Sequence, residues 1–177
     1  PPLLDICYLL KTTKNETIFL DIETIPKTLE LTCIGVGIKG VVYVIPYRRY
    51  NYTLAYDEMF RCNQSLAIAF RDNLVVAHNT AFHLFIIAWR YGIPFGHCLY
   101  DTMHAHHRIF PEVAKSLGHC ISLYTDQPYH KNEGVFDPKT HEQDVELWNY
   151  NAKDVESMMY VKQAIDEYVE KHGLTLY

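Results

Sequence analysis

Two apolar runs joined by a single turn most constrain what this chain can fold into. Leu31–Ile38 and residues 41–45 are rich in β-branched side chains, and Lys39-Gly40 between them predicts a tight hairpin. A similar run precedes them at residues 17–22, and another follows at Leu74–Ala77. A hairpin followed by alternating strands and helices predicts an α/β fold with a mixed sheet flanked by helices.

In most of the remaining sequence, apolar residues recur at the spacing of an α-helix. Asp57 and Thr80 are candidate N-caps for two of these helices, and Gly92 and Gly173 are candidate stop signals. The stretch 127–140 contains several Pro and Gly residues and is predicted to be a loop. The predicted helices cover residues 57–70, 81–91, about 102–110 and about 142–171.

The chain is predicted to form one domain over residues 1–177, because it has no internal repeat, linker or low-complexity tract. No apolar run approaches the ~20 residues that a membrane-spanning helix needs, so no membrane partner is expected. Five separated cysteines without a C-x-x-C pair favour a reducing compartment, and a cytoplasmic location is expected. The start, Pro-Pro-Leu-Leu-Asp without an initiator Met, indicates a segment of a longer chain.

The net charge of −5 is opposite in sign to that of a protein that binds nucleic acid by neutralising phosphates. A function on nucleic acid therefore requires a local source of positive charge. Metal ions held by clustered acidic side chains are one such source, because they reverse the local field.

An acidic pair, Asp21 and Glu23, closes the first predicted strand. Residues i and i+2 of a strand lie on one face, so both carboxylates point the same way. Two adjacent carboxylates repel each other unless a cation lies between them, and oxygen ligands favour Mg²⁺ or Mn²⁺. A solvated strand end is the alternative interpretation, since this short motif is common by chance.

Tyr150 and Asp154 lie one turn apart in the predicted last helix and therefore share a face. The carboxylate could complete a metal site and the phenol could orient an attacking water. A partly buried Tyr beside a surface Asp is the alternative.

The segment from His78 to His83 links a buried strand to a helix. His83 in the first helical turn is expected to be neutral near pH 7, and it is a candidate metal ligand or a hydrogen-bonded structural residue.

Together these segments resemble exonuclease motifs I, II and III of the DEDDy class of 3′–5′ exonucleases, in the same order and with similar spacing. Further segments resemble the proofreading exonuclease domains of bacteriophage-type family A DNA polymerases. The resemblance covers the chain from about residue 17 to the end of the last helix. The segments that carry it are Phe19-Leu-Asp-Ile-Glu-Thr24, Val76-Ala-His-Asn-Thr-Ala-Phe82, Tyr100-Asp-Thr-Met103, Pro111-Glu-Val-Ala-Lys-Ser-Leu117, Ser122-Leu-Tyr-Thr125, Pro128-Tyr-His-Lys-Asn-Glu-Gly134 and Tyr150-x-x-x-Asp154.

The resemblance implies a ribonuclease-H-like fold with a five-stranded mixed sheet, and hydrolysis of the terminal phosphodiester of DNA with two Mg²⁺ or Mn²⁺ ions. It implies that Asp21 bridges both ions and that Glu23 and Asp154 bind the ion that activates water. Tyr150 then orients that water. The implied partners are the 3′ end of single-stranded DNA and a polymerase domain of the same chain. Residues implied to line the site or contact substrate are Thr24, His78, Asn79, Phe82 and Lys131.

His83 departs from the family pattern, which has an Asp at this position that helps to hold the second ion. A neutral imidazole can bind Mn²⁺, Zn²⁺ or Co²⁺ but suits Mg²⁺ poorly. The domain is then a nuclease with altered metal preference, a weak or silenced nuclease that still binds DNA ends, or a chain with an introduced inactivating change. Asp101 or another nearby acid could also substitute as a ligand.

Two other groups of residues have both functional and structural interpretations. His104, His106 and His107 suggest a metal site, although histidines on the surface of a helix are more often inert. Arg48-Arg49, flanked by tyrosines 47, 50 and 52, could contact single-stranded DNA or form a solvated loop over the core. The sequence predicts a DNA 3′–5′ exonuclease, with a silenced DNA-end-binding module and an RNA 3′–5′ exonuclease as alternatives.

Overall fold

A computed structural model describes residues 2–96, 99–128 and 135–176 of the chain. Its main sheet has five strands with helices packed against it, which confirms the predicted α/β fold. The strands of this sheet are β1 (Thr17–Thr24), β2 (Leu31–Ile38), β3 (Val41–Pro46), β6 (Leu74–Ala77) and β7 (Leu99–Asp101), and a separate small hairpin is formed by β4 (Arg48–Arg49) and β5 (Tyr52–Thr53).

Six α-helices and one π-helix are present in the described residues. The predicted long last helix is confirmed, and it ends at Gly173, whose φ of 60° is the left-handed conformation that a glycine adopts readily. None of these helices has the length and apolar composition needed to cross a membrane. The helices are α1 (Leu3–Thr12), α2 (Tyr56–Asp72), α3 (Thr80–Leu84), the π-helix (Phe85–Arg90), α4 (Thr102–Ile109), α5 (Leu117–Tyr124) and α6 (His141–His172).

The sheet has the strand order β3-β2-β1-β6-β7, so β1 lies at its centre. β1 pairs antiparallel with β2 and parallel with β6, and β6 pairs parallel with β7. The predicted hairpin between β2 and β3 is confirmed, with Lys39 and Gly40 both at positive φ. Because β1, β6 and β7 run in the same direction, their carboxyl ends meet at one edge of the sheet. The residues at these three strand ends therefore lie near one another.

The alternation of side chains along β1 divides the core in two. Ile18, Leu20 and Ile22 are buried in a cluster with α1, α2 and the π-helix. Phe19 packs against the second cluster, which contains residues of α4, α5 and α6. Side chains two residues apart on a strand share a face, so Asp21, like Phe19, faces the α6 side of the sheet.

Two glycines on β2 allow α6 to lie close to the sheet. Gly35 is opposite Asp21, and Gly37 is opposite Phe19. A Cβ atom added at Gly35 would lie 2.3 Å from Oδ1 of Asn151 and 2.7 Å from Cγ2 of Val155, both on α6. Any larger residue at this position would therefore clash with side chains of the helix that carries Tyr150 and Asp154.

The two predicted N-caps are wrong. α2 begins at Tyr56, and the carboxylate of Glu58 accepts a hydrogen bond from the backbone N–H of Ala55, while Asp57 lies inside the first turn and pairs with Arg61. α3 begins at Thr80 itself, because the carboxylate of Asp101 accepts from the N–H groups that precede and start that helix.

Two helices, the three short strands β4, β5 and β7, and one irregularity of helix form were not predicted. α1 packs against α2 and α5 packs against α6; the side chain of Ser116 caps α5, a signal that the sequence reasoning did not use. The predicted helix over residues 81–91 is present in part as a π-helix. In this rare form each hydrogen bond spans one more residue than in an α-helix, and it occurs frequently at functional sites.

Candidate metal centre

Three carboxylates meet where the carboxyl end of β1 faces α6. Asp21 and Glu23 on β1 and Asp154 on α6 each offer an oxygen, and these oxygens lie within 4.8 Å of one another. Glu23 is buried, the side chain of Asp21 is 13% exposed, and Asp154 is half-buried. This is the one group of three or more potential metal-ligating side chains found in the part of the chain that the structure describes.

The ionisation of this acidic cluster is strongly disfavoured in the metal-free protein. Burial, together with the negative charges of Asp21 and Asp154, raises the pKa of Glu23 to about 10. Burial and the charge of Asp154 also raise the pKa of Asp21 well above its usual range. A divalent cation among these oxygens would offset both the repulsion and the lost hydration. The residues present therefore fit a hard divalent ion such as Mg²⁺ or Mn²⁺.

Asn151 is a part of the site that the sequence reasoning missed. Its Nδ2 donates a hydrogen bond to Oδ2 of Asp21 over 2.7 Å, and the side chain is fully buried. Its Oδ1 has no hydrogen-bond partner among the described residues. The available signal was a polar residue within the apolar stripe of α6 that also contains Leu147, Val155 and Met158. A buried amide on such a stripe indicates a specific partner.

Tyr150 stands beside the carboxylates, as its spacing from Asp154 predicts. Burial raises the pKa of Tyr150, and the neighbouring charges of Asp154 and Glu23 and a hydrogen bond with Asp154 act in the same direction. The phenol therefore stays protonated at neutral pH and can donate a hydrogen bond. Phe136 packs edge-to-face against its ring at 5.7 Å between centroids.

His83 lies next to the cluster without joining it. Its Nε2 is 2.9 Å from the backbone oxygen of His78 and 3.7 Å from Oδ1 of Asp21. Burial lowers the pKa of His83 to about 4, so the ring is neutral at pH 7 as predicted, although by burial rather than by a helix dipole. With Nε2 donating to a carbonyl, Nδ1 carries the lone pair, and it has no partner among the described residues. Metal ligation by His83 stays a prediction.

Asp101 is occupied as a cap and does not face the cluster as a free ligand. Its Oδ1 accepts from the N–H groups of Asn79, Met103 and His104, and its Oδ2 accepts from that of Thr80. One carboxylate thus fixes the starts of both α3 and α4. These contacts oppose the alternative in which Asp101 replaces the missing metal ligand.

The residues predicted to line the site have different surroundings. Thr24 is buried at the end of β1, and Phe82 is 37% exposed with its ring edge-to-face against His83. His78 is hydrogen-bonded through Nδ1 to Thr102 and through Nε2 to the carbonyl of Lys115, which ties it to the scaffold. Asn79 holds a left-handed turn at φ 64°, and Lys131 lies outside the described residues. Their roles toward substrate stay predictions.

The arginine-rich hairpin β4–β5 is engaged with the rest of the protein. Tyr47, which precedes it, is buried and donates a hydrogen bond to Asn63 over 2.7 Å. The guanidinium of Arg48 pairs with Asp137, and that of Arg49 lies over the ring of Trp148 at 5.3 Å. These contacts favour the structural interpretation of the hairpin.

The histidines of α4 also have a structural role in part. His106 is buried, with Nδ1 2.8 Å from the hydroxyl of Tyr124 and Nε2 3.1 Å from the carbonyl of Ala114. His104 is exposed and lies 3.8 Å from Asp101. No metal-ligating group of three side chains forms around them in the described residues.

Comparison with solved structures finds the same fold in several nucleases. RNase D of Escherichia coli, an exoribonuclease involved in structured RNA processing, matches with a TM-score of 0.71 and 16% identity, over 97% of this chain and 44% of that one. The catalytic core of RRP6 from Trypanosoma brucei matches with a TM-score of 0.75 and 13% identity, over 99% of this chain and 47% of that one. The chain has the fold of these nucleases.

A third structure with the same fold carries a metal ion. Brucella melitensis NrnC with bound Mg²⁺ matches with a TM-score of 0.67 and 18% identity, over 91% of this chain and 77% of that one. The chain spans about half the length of the RNase D and RRP6 chains. No family model and no curated protein matches the sequence.

Proposed function

We propose that this chain is a metal-dependent 3′–5′ exonuclease domain that hydrolyses the terminal phosphodiester of single-stranded DNA. The observation that carries the proposal is the convergence of Asp21, Glu23 and Asp154 within 4.8 Å, with the phenol of Tyr150 beside them. The fold shared with RNase D, RRP6 and NrnC supports it.

The three carboxylates are the residues that would hold Mg²⁺ or Mn²⁺, and the Mg²⁺ bound by Brucella NrnC supports the same class of ion here. When bound, such ions activate water and stabilise negative charge on the phosphate, and the resemblance to the DEDDy class implies two of them. Tyr150 remains protonated; its hydroxyl hydrogen-bonds Asp154 in the structure, and once Asp154 binds an ion the same hydroxyl would donate to the attacking water and orient it. Asn151 holds Oδ2 of Asp21 in place.

DNA as substrate, and proofreading for a polymerase domain of the same chain in a bacterial host cytoplasm, are supported by the resemblance to phage-type polymerases. The RNA alternative has a specific observation in its favour, because RNase D is an exoribonuclease with the same fold. Discrimination between DNA and RNA depends on contacts to the 2′-hydroxyl of the sugar. The sugar preference is therefore part of the test.

Digestion of single strands labelled at the 5′ end tests the proposal directly. DNA and RNA of the same sequence are incubated with the protein in Mg²⁺ and in Mn²⁺, with Asp21→Ala as the inactive control. Stepwise shortening from the 3′ end that Asp21→Ala abolishes supports the exonuclease. Shortening from the 5′ end, or cleavage that survives in Asp21→Ala, contradicts it.

A silenced DNA-end-binding module is the second candidate, and the geometry of His83 favours it. This side chain is neutral, donates to the carbonyl of His78 and contributes no negative charge to the cluster. The variant His83→Asp adds a carboxylate at the same place. If His83→Asp digests DNA in Mg²⁺ while the parent chain only binds it, the domain is silenced; equal rates for both proteins contradict a silencing role for His83.

A further inference from the structure

Two large aromatic rings stand exposed on the π-helix, which directly follows α3, the helix that carries His83. The rings of Phe85 and Trp89 are stacked, with centroids 4.9 Å apart and planes 20° from parallel. Phe85 is 51% exposed and Trp89 is 73% exposed, whereas Ile86 and Ile87 of the same helix are fully buried in the core. The π-helix thus anchors one face in the core and presents a stacked aromatic pair on the other.

This pair continues a row that begins at the metal centre. Phe82 lies one turn earlier, and its ring contacts His83, whose Nε2 is 3.7 Å from Asp21. At the other end of the row, Arg90 donates a hydrogen bond to the backbone oxygen of Thr28. Thr28 belongs to the turn that follows β1, so the row runs alongside the strand that carries Asp21 and Glu23. We call Phe82, Phe85 and Trp89 the aromatic row.

The charge around the aromatic row suits an anionic partner. No Asp or Glu occurs in the sequence between Asp72 and Asp101, although the chain has 21 acidic residues and a net charge of −5. Arg90 and the exposed Lys27, next to Thr28, are cations at the distal end of the row, and Glu30 in the same turn is paired with Arg48. Exposed aromatic rings beside cations match single-stranded nucleic acid, in which bases stack on the rings and phosphates meet the cations.

A second exposed aromatic pair has acidic neighbours and serves as a comparison. Tyr56 and Phe60 on α2 are stacked with centroids 6.5 Å apart and are 80% and 51% exposed. Asp57 and Glu58 lie directly beside them in the sequence. Exposure and stacking are thus alike at both places, and the local charge differs.

We propose that Phe85 and Trp89 are a base-stacking platform for single-stranded nucleic acid, and that they hold nucleotides upstream of the 3′ end that enters the metal centre. This inference rests on the proposed function, because the position upstream of the 3′ end assumes that the enzyme degrades the strand from that end. Base stacking on aromatic side chains tolerates any sequence, because every base has a π-face, and loss of one stacking residue weakens binding about tenfold or more. Short strands that fill only the metal centre do not reach the platform.

Fluorescence of Trp89 provides a test that does not depend on cleavage. The chain has two tryptophans, so Trp148→Phe leaves Trp89 as the single reporter. This protein is titrated in EDTA at low salt with a trinucleotide, with dodecamers of dT and of rU, and with an abasic dodecamer. We expect the dT or rU dodecamer to quench Trp89, and the abasic strand and the trinucleotide to leave its emission unchanged. Equal quenching by the abasic strand overturns stacking.

Affinity is then compared by anisotropy of labelled dodecamers. Phe85→Ala with Trp89→Ala should weaken binding at least about tenfold, whereas Trp89→Phe retains most of the affinity and Tyr56→Ala with Phe60→Ala retains all of it. Circular dichroism checks that each variant is folded. Unchanged affinity in the Phe85 and Trp89 variant overturns the platform, and this face then serves a partner other than nucleic acid. A folded chain that binds through the platform but cuts no strand contradicts the proposed function and leaves the platform standing.

Discussion

The side-chain amide of Asn151 donates a hydrogen bond to Oδ2 of Asp21 over 2.7 Å, and the two residues are separated by 130 positions in the sequence. This contact joins the central strand β1 to the last helix α6 inside the protein. It fixes one oxygen of Asp21, and it lowers the pKa of that carboxyl against the larger effects of burial and of Asp154. Asn151 therefore acts on the metal centre through Asp21.

Removal of this amide should weaken metal binding. Asn151→Ala leaves Asp21 without its hydrogen-bond donor, and partners of metal ligands typically contribute about 10–100-fold to affinity. We expect the dissociation constant for Mn²⁺, measured by calorimetry or by electron paramagnetic resonance, to rise by about tenfold or more. Asn63→Ala, which removes an amide bonded to the carbonyl of Tyr91, is the matched control. Equal Mn²⁺ affinity in Asn151→Ala and the parent chain would rule this role out.

A methyl group at Gly35 should destabilise the protein. The new Cβ would lie 2.3 Å from Oδ1 of Asn151 and 2.7 Å from Cγ2 of Val155, so these side chains or the helix α6 that carries them must shift. Overpacking of this kind costs about 1–3 kcal/mol, and each kcal/mol lowers the melting temperature by about 2–4 °C in a domain of this size. Thermal unfolding followed by circular dichroism measures the effect of Gly35→Ala.

The same substitution combined with Asn151→Ala identifies the cause. Removing the amide relieves the shortest contact and leaves the contact with Val155, so part of the lost stability should return. If the double variant loses as much stability as the two single variants lose together, the destabilisation of Gly35→Ala does not come from the contact with Asn151.

The sequence predicted the parts of this site whose geometry is local. Asp21 and Glu23 share a face because a strand has a period of two, and Tyr150 and Asp154 share a face because a helix places residues four apart together. That these two pairs meet was implied by the resemblance to a known class of nucleases. A mixed sheet flanked by helices followed from the hairpin signal and the alternation of runs, whereas its five strands were implied by the same resemblance.

The sequence did not predict features that depend on contacts between distant elements. The partner of Asn151 depends on the register of β2, where Gly35 admits α6. The carboxylate of Asp101, at the end of the neighbouring strand β7, caps the start of α3, and for this reason the prediction of Thr80 as the cap was wrong. The burial of His83 likewise depends on the packing of its neighbours. No periodicity within one segment carries this information.

Loss of the Tyr150 hydroxyl should slow catalysis and leave metal binding intact. The phenol is protonated and is not one of the three converging ligands; its hydrogen bond with Asp154 passes to the attacking water in the proposed mechanism, so metal binding does not depend on it. Tyr150→Phe should therefore lower kcat by about a hundredfold, because the attacking water loses its orienting partner, with unchanged Mn²⁺ affinity. Tyr160→Phe, an exposed tyrosine of the same helix, is the control. A loss of Mn²⁺ affinity in Tyr150→Phe would assign the residue to the metal site instead.

Metal-free protein should lose stability as the pH rises, because the folded-state pKa values of Glu23 and its neighbour Asp21 are both raised. The pKa of Glu23 in the folded state is raised to about 10, above the ordinary value of 4.5. A group with a raised folded-state pKa contributes stability that is fully present below its ordinary pKa and is lost as the pH rises toward the folded value. Between pH 7 and 9 this loss reaches at most about 1.4 kcal/mol per pH unit for one proton.

The range from pH 7 to 9 distinguishes the effect of Glu23 on stability from that of His83. The pKa of His83 is lowered to about 4, so its contribution is lost only as the pH falls below its ordinary value of 6.5, and it is constant at higher pH. Urea unfolding in EDTA at pH 7, 8 and 9 should therefore give a falling free energy of unfolding for the parent chain and a flatter dependence for Glu23→Gln. Saturating Mn²⁺ should stabilise the parent chain most at high pH, because the ion binds the ionised carboxylates. A parent chain whose stability in EDTA is independent of pH across this range would show that Glu23 is already ionised without a metal.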